Sequence, residues 1–144
     1  IRATVPAGLT AIPTSNSGAP TILPNNIQFF DEILYGAAVP LGVPPGSVLY
    51  GIEVYGEIYT AAADPLEMSV VADDRDGVSS LGSETLNNPS SVGKWDVRFD
   101  STNLSNMPLT VAEDEVLFCQ LTPQTGANAG LTAVTHLIVE YARP

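Results

Sequence analysis

The chain has 144 residues, of which 44% are hydrophobic and 15% charged, and its five basic and sixteen acidic side chains give a net charge of −11. This length and hydrophobic content predict one domain with one buried core, and they exclude a wholly disordered chain. So few lysines and arginines exclude the basic surface that nucleic acid or an anionic membrane attracts, and neither is predicted as a partner.

The first 26 residues follow neither a helical nor a strand period. They contain prolines at positions 6, 13, 20 and 24 and a single charge, Arg2. This composition predicts an extended N-terminal arm over residues 1–26, followed by a folded domain over residues 27–144. The apolar side chains with which such an arm would bind a partner are Val5, Leu9, Ile12, Ile22 and Leu23. A flexible, unpaired terminus explains the same composition equally well.

Strand patterns begin after the arm, with a long and irregular strand predicted over residues 27–39. The clearest alternation lies in residues 48–60, which place Glu53 and Glu57 opposite a predicted core face of Val48, Tyr50, Ile52, Val54 and Ile58. Residues 66–70 and 95–99 alternate in the same way. Residues 116–121 and 131–141 are more uniformly apolar, which is typical of strands covered on both faces, by a second sheet and by a subunit or the arm.

Connections rich in turn-forming residues are predicted between these strands, at residues 61–65, 73–94, 101–108 and 123–130. No segment has the pattern of a long amphipathic helix. An uncharged stretch at residues 33–52 has the length of a membrane span, but three prolines and four glycines would break such a helix. The predicted fold class is therefore all-β, an antiparallel β-sandwich of jelly-roll type with the N-terminal arm.

The residues that could carry chemistry form no catalytic pattern. The acidic cluster before Gly77 fails as a calcium loop of the EF-hand type, because Ala72 and Ser83 stand where carboxylates are needed, and a solvated turn is favoured. The single histidine, His136, lies within a predicted strand and is interpreted as structural, and the single Cys119 forms no intrachain disulfide. We therefore predict no enzyme, no catalytic residue, no metal site and no cofactor.

Two tyrosines are candidates for surface binding. Tyr55 and Tyr59 share the predicted outer face of their strand with Glu53 and Glu57, so an exposed stripe of tyrosine and glutamate is expected. Such a stripe is a candidate carbohydrate platform or protein interface. Tyrosine is also common on strands because of its ordinary β-propensity, which explains the pattern without any ligand.

Roughly the last 35 residues of the chain resemble the closing strands of β-sandwich structural proteins of tailed-bacteriophage virions, most of all head decoration, or cement, proteins. The resemblance lies in residues 109–122, LTVAEDEVLFCQLT, and residues 131–143, LTAVTHLIVEYAR. It implies a protein that stabilises the capsid from its outer surface, usually as a trimer, with the major capsid protein and further copies of itself as partners. The arm would then reach over neighbouring capsid subunits.

A second function fits the same architecture. A β-sandwich module of a phage fibre or a secreted protein could bind a carbohydrate or a receptor, with Tyr55 and Tyr59 as the stacking residues. Both interpretations predict a binding protein rather than an enzyme, and because function depends on the surfaces of a fold, the sequence pattern leaves both open.

Overall fold

The computed structural model describes residues 1–29, 35–60, 65–86, 92–104, 107–124 and 131–144, and in these ranges the chain is almost entirely β. No helix in them is long and apolar enough to cross a membrane. The elements are β1 (Arg2–Pro6), α1 (Ala7–Thr10), β2 (Ile12–Pro13), β3 (Thr21–Leu23), β4 (Asn26–Phe29), β5 (Ala37–Pro40), β6 (Val48–Thr60), β7 (Leu66–Asp74), β8 (Gly77–Leu86), β9 (Gly93–Phe99), β10 (Leu109–Thr110), β11 (Val116–Pro123) and β12 (Leu131–Ala142).

Within the described ranges the strands form two antiparallel sheets. The seven-stranded sheet has the order β10-β6-β12-β4-β3, with β9 also paired to β6 and β1 also paired to β12. The five-stranded sheet has the order β2-β5-β11-β7-β8. The chain crosses from one sheet to the other between β4 and β5, again between β5 and β6, and again between β6 and β7. The predicted antiparallel β-sandwich is therefore confirmed.

The core lies between the two sheets and follows the predicted alternation. In β7, Leu66, Met68 and Val70 are fully buried, whereas Glu67 and Ser69 on the other face are only partly buried. The fully buried side chains with the largest volumes come from both sheets and include Phe99, Ile52 and Leu137 from one and Met68 and Leu121 from the other. Contact between these two apolar faces is the main stabilising interaction of the fold.

The predicted alternation in β6 is wrong at its beginning. Leu49 is fully buried and Tyr50 is 49% exposed, although Val48 and Tyr50 were predicted to face the core. The reason is a β-bulge: Gly51 pairs with Glu140 and Leu49 pairs with the next residue of β12, so Tyr50 is an extra residue without a partner. An extra residue reverses the side-chain alternation on one side of the bulge. From Ile52 onward the prediction is confirmed.

Two further predictions about strands are wrong. Residues 27–39 form two strands, β4 and β5, which belong to different sheets, and residues 30–34 between them lie outside the described ranges. A Cβ on Gly36 would lie 2.5 Å from the carbonyl oxygen of Leu121, so the chain enters the second sheet through a contact that only glycine allows. The predicted connection at residues 73–94 contains an entire edge strand, β8.

Residues 1–26, predicted as an extended arm before a domain at residues 27–144, contribute strands to both sheets. β1 pairs with β12, β2 with β5 and β3 with β4, and Ala7 between β1 and β2 is fully buried. The amino group of Ile1 also donates to the carbonyl oxygen of Tyr141 at 2.8 Å. Pairing of β1 satisfies backbone groups along β12 that would otherwise form an open edge.

Candidate functional site

A stacked pair of aromatic side chains stands on the outer face of the seven-stranded sheet. Tyr55 in β6 pairs with His136 in β12, and their rings are 4.7 Å apart between centroids and only 5° from parallel. A register shift at Thr135 precedes His136, and the Thr135 hydroxyl donates to the carbonyl oxygen of Tyr55 at 3.2 Å. The bulge at Thr135 sets where His136 stands relative to Tyr55, because a β-bulge redirects the side chain that follows it.

The pair lines a cleft of about 220 Å³, whose walls are Tyr55, Gly56, Glu57, Lys94, Trp95, Thr135 and His136. Trp95 is partly buried, packs against the core and donates its indole N–H to the Thr132 hydroxyl at 3.2 Å. The Trp95 ring lies directly over Gly56, since a Cβ at Gly56 would be 2.2 Å from an indole carbon. Gly56 is therefore required by this close approach. A site with aromatic walls and a few polar groups is typical of small-molecule binding.

Charged groups occur on the same face, in rows across β6 and β9. The register pairs Glu57 with Lys94 and Tyr55 with Asp96, so these side chains share the outer face. Lys94 and Asp96 are exposed, and Glu57 is partly buried. Lys94 and Glu57 therefore offer a hydrogen-bond donor and an acceptor on one side of the cleft.

The Tyr55 hydroxyl is bonded to an ion-pair network on the same face of the sheet. This hydroxyl donates to Glu53 at 2.5 Å, and the same carboxylate accepts from Arg2 at 3.0 Å and from Arg98 at 2.8 Å. Glu140 accepts from both arginines and closes the network. Since Arg2 belongs to β1, the N-terminal strand is tied to the side chain that fixes the orientation of the Tyr55 ring.

The network changes the ionisation of its members. The Arg2 hydrogen bond, followed by the one from Tyr55, lowers the pKa of Glu53 to about 2. The hydrogen bond from Arg98 lowers the pKa of Glu140, and the hydrogen bond to Glu53 raises the pKa of Tyr55. Glu53 and Glu140 thus stay ionised, and Tyr55 stays a neutral hydrogen-bond donor, over the neutral pH range.

The two predicted surface tyrosines lie in different surroundings. Tyr55 is partly buried, has one ring face against His136 and lines the cleft. Tyr59 is 41% exposed near the end of β6 and is not part of the cleft wall. Burial, and then the charge of Glu57, raise the pKa of the Tyr59 hydroxyl.

The five apolar residues predicted to bind a partner divide into two groups. Val5 and Ile22 pack against the core of this chain. Leu9 is 64% exposed, Ile12 is 52% exposed and Leu23 is 38% exposed. Only the second group is available to a partner, and Ile12 lines a groove of about 210 Å³ on the five-stranded sheet that also contains Val78, Phe118 and Gln120.

The remaining candidates from the sequence are structural. The Asp74 carboxylate accepts from the backbone N–H groups of Asp76 and Gly77 at 2.8 and 3.1 Å, so it closes the turn between β7 and β8. Gly77 has φ +135°, which glycine adopts readily. Cys119 is buried, and burial raises the pKa of its thiol to about 12. In the described part of the chain, no three histidine, cysteine, aspartate or glutamate side chains are grouped to hold a metal ion.

Most of the cleft was not predicted from the sequence. His136 was interpreted as structural, and neither Trp95 nor Lys94 was predicted as a site residue. Their approach to Tyr55 depends on the pairing of β6 with β9 and β12, three strands far apart in the sequence. The alternation predicted the face of Tyr55 correctly, but alternation alone does not say which residues of two distant strands pair, because a slip by two residues leaves every side chain on the same face.

The fold is similar to that of solved carbohydrate-binding modules. The xylan-binding module CBM15 has a TM-score of 0.60 and 9% identity over 99% of this chain and 97% of that module. The CBM36-1 domain of a multidomain xylanase from the hindgut metagenome of Trinervitermes trinervoides has a TM-score of 0.57 and 10% identity over the full length of both. The CBM22-1 xylan-binding domain from Paenibacillus barcinonensis Xyn10C has a TM-score of 0.51 and 9% identity over 99% and 94%.

What these proteins share with this chain is the fold. No family model matches the chain, and no curated protein matches it. TM-scores of 0.51 to 0.60 show a common β-sandwich architecture, and at identities of 9–10% they show the fold alone. A ligand has to be argued from the side chains of the site itself.

Proposed function

We propose that this chain is a non-enzymatic carbohydrate-binding module and that the cleft beside Tyr55 is its binding site. The observation that carries the proposal is the stacked Tyr55–His136 pair, which lines a cleft together with Trp95, Glu57 and Lys94. A pyranose ring has an apolar face of C–H groups, which packs against an aromatic wall, and a rim of hydroxyls, which needs both donors and acceptors.

The comparisons support this choice at the level of the fold. The module CBM15 and the CBM22-1 domain are xylan-binding, and the third similar structure is the CBM36-1 domain of a xylanase. Function on such a sandwich depends on the surface groups, and here those groups are aromatic and charged, with the Tyr55 hydroxyl bonded to the ion-pair network. The pre-set orientation of Tyr55 by Glu53 lowers the ordering cost of binding.

Isothermal titration calorimetry against soluble xylan, mixed-linkage β-glucan and galactan tests the proposal. We expect saturable binding of at least one of them, and about a tenfold loss of affinity in Tyr55→Ala, corresponding to about 1.4 kcal/mol. Gln120→Ala is the matched control, because Gln120 lines the groove on the opposite sheet. Unchanged affinity in Tyr55→Ala together with lost affinity in Gln120→Ala would move the site to the other face and contradict the proposal.

Decoration of a phage capsid stays a prediction from the sequence. The geometry and the comparisons bear on neither a capsid partner, nor a trimer, nor a virion location. Removal of residues 1–24 does not test it cleanly, because this deletion takes away β1, β2 and β3 and the Arg2 ion pairs. Substitution of the exposed Leu9 by serine is the better probe, and co-sedimentation with empty capsids is its readout.

A further inference from the structure

The charges around the cleft are unevenly distributed. Glu53, Glu57 and Asp96 stand on the outer face of the seven-stranded sheet in adjacent rows. Arg2 and Arg98 each form ion pairs with both Glu53 and Glu140, so the charges of these four residues balance one another. Of the residues that line the cleft, Lys94 and His136 are basic and Glu57 is acidic, and Asp96 stands in the row next to Lys94 and Glu57.

An anionic ligand at this cleft would meet the carboxylates of Glu57 and Asp96 as well as Lys94 and His136. Its carboxylate or sulfate would stand beside Glu57, which lines the cleft, and close to Asp96, which pairs with Tyr55 in the register. The chain as a whole carries a net charge of −11, which adds a long-range repulsion. Like charges placed next to each other in a binding site weaken binding, and specificity often rests on such repulsion.

We propose that the cleft selects uncharged glycans and rejects those that carry uronate or sulfate groups. This inference rests on the proposed function and deepens it. Glu57 is the residue that sets the selectivity: its carboxylate accepts from sugar hydroxyls and repels acidic substituents. Lys94, directly opposite Glu57 in the register, donates to hydroxyls. An uncharged sugar can hydrogen-bond to both Glu57 and Lys94. The anionic group of an acidic sugar is attracted by Lys94 and repelled by the carboxylates of Glu57 and Asp96.

The experiment compares neutral and acidic probes by calorimetry at low salt. The neutral probes are xylohexaose and cellohexaose, and the acidic probes are a xylo-oligosaccharide bearing methylglucuronate and an oligogalacturonate. We expect at least tenfold tighter binding of a neutral probe than of either acidic probe. Equal or tighter binding of an acidic probe would overturn the selectivity and leave carbohydrate binding standing. No saturable binding of any probe would contradict the proposed function as well.

A charge reversal tests the role of Glu57 directly. In Glu57→Lys we expect the ratio of neutral to acidic affinity to fall by about tenfold or more, and added salt to weaken binding of the acidic probe. Glu113→Lys is the matched control, because it changes the net charge equally in an exposed turn before β11, and we expect its affinity ratio to stay within about twofold of wild type. An equal shift in both variants would assign the effect to net charge and overturn the role of Glu57. The wild-type comparison tests the selectivity even if Glu57→Lys fails to fold.

Discussion

Replacing Glu53 by glutamine removes one charge from the centre of the network with little change in shape. The Glu53 side chain is 15% exposed, and the variant leaves Arg2 and Arg98 without one of their carboxylate partners. The pKa of Glu53 falls from 4.5 to about 2 in the folded protein, which at about 1.4 kcal/mol per pKa unit corresponds to roughly 3 kcal/mol. Because the arginine side chains are 52% and 40% exposed, solvent screening reduces this value, and we expect a loss of roughly 1–2 kcal/mol at pH 7.

The pH dependence of this loss has a definite sign. A carboxyl whose pKa is lowered by folding stabilises the native state fully above its unfolded pKa, and this stabilisation disappears as pH falls through the folded pKa. The difference between wild type and Glu53→Gln should therefore be largest above about pH 4.5 and shrink toward zero near pH 2. The assay is urea unfolding at pH 7, 4 and 2, with Glu113→Gln as the control in an exposed turn. A difference that is absent at pH 7, or equal at pH 7 and pH 2, would refute the reasoning.

Three further substitutions test the packing. Gly56→Ala would push a Cβ into the Trp95 ring. We expect the free energy of unfolding, measured by chemical denaturation, to fall by about 1–3 kcal/mol. Phe99→Ala removes a fully buried ring from the core, and we expect the free energy of unfolding to fall by about 3–5 kcal/mol. A fall of less than about 1 kcal/mol would contradict the core position of Phe99. Arg75→Ala breaks an exposed ion pair with Asp114, and the melting temperature should barely change, since such pairs contribute under about 1 kcal/mol.

The strands with alternating side chains could be predicted from the sequence because each has one buried face. β7 and β9 were predicted correctly, because a half-buried strand has a period of two in its apolar residues, and this period is visible without knowledge of the partner strand. β8 could not be found in this way. It lies at the edge of its sheet, it is largely exposed, and its serine-rich sequence follows no apolar alternation.

The N-terminal strands were missed for a different reason. Prolines and glycines break up residues 1–26, so each strand is only two to five residues long and shows no period of its own. β1 is held by its pairing with β12 and by the ion pairs of Arg2, and β12 lies more than a hundred residues away in the sequence. Such contacts depend on tertiary structure, and local propensity carries no information about them.

The cleft likewise combines a feature that one strand's sequence predicts with features that depend on pairing between distant strands. The outward direction of Tyr55 follows from alternation, but its stacking on His136 depends on the bulge at Thr135 and on the register between β6 and β12. A one-residue slip in that register would turn His136 to the other face of the sheet. The site residues could therefore be proposed one at a time from the sequence, and only the fold brings them together.

The emission of Trp95 offers the most direct test of carbohydrate binding in this cleft. Trp95 is the only tryptophan of the chain, and it lines the cleft, so its fluorescence reports on that position alone. Titration of the wild-type protein with the glycan that binds in calorimetry should give a saturable change in emission with the same Kd, and should protect Trp95 from acrylamide quenching. Saturation measured by calorimetry with the emission and quenching of Trp95 unchanged would contradict the account.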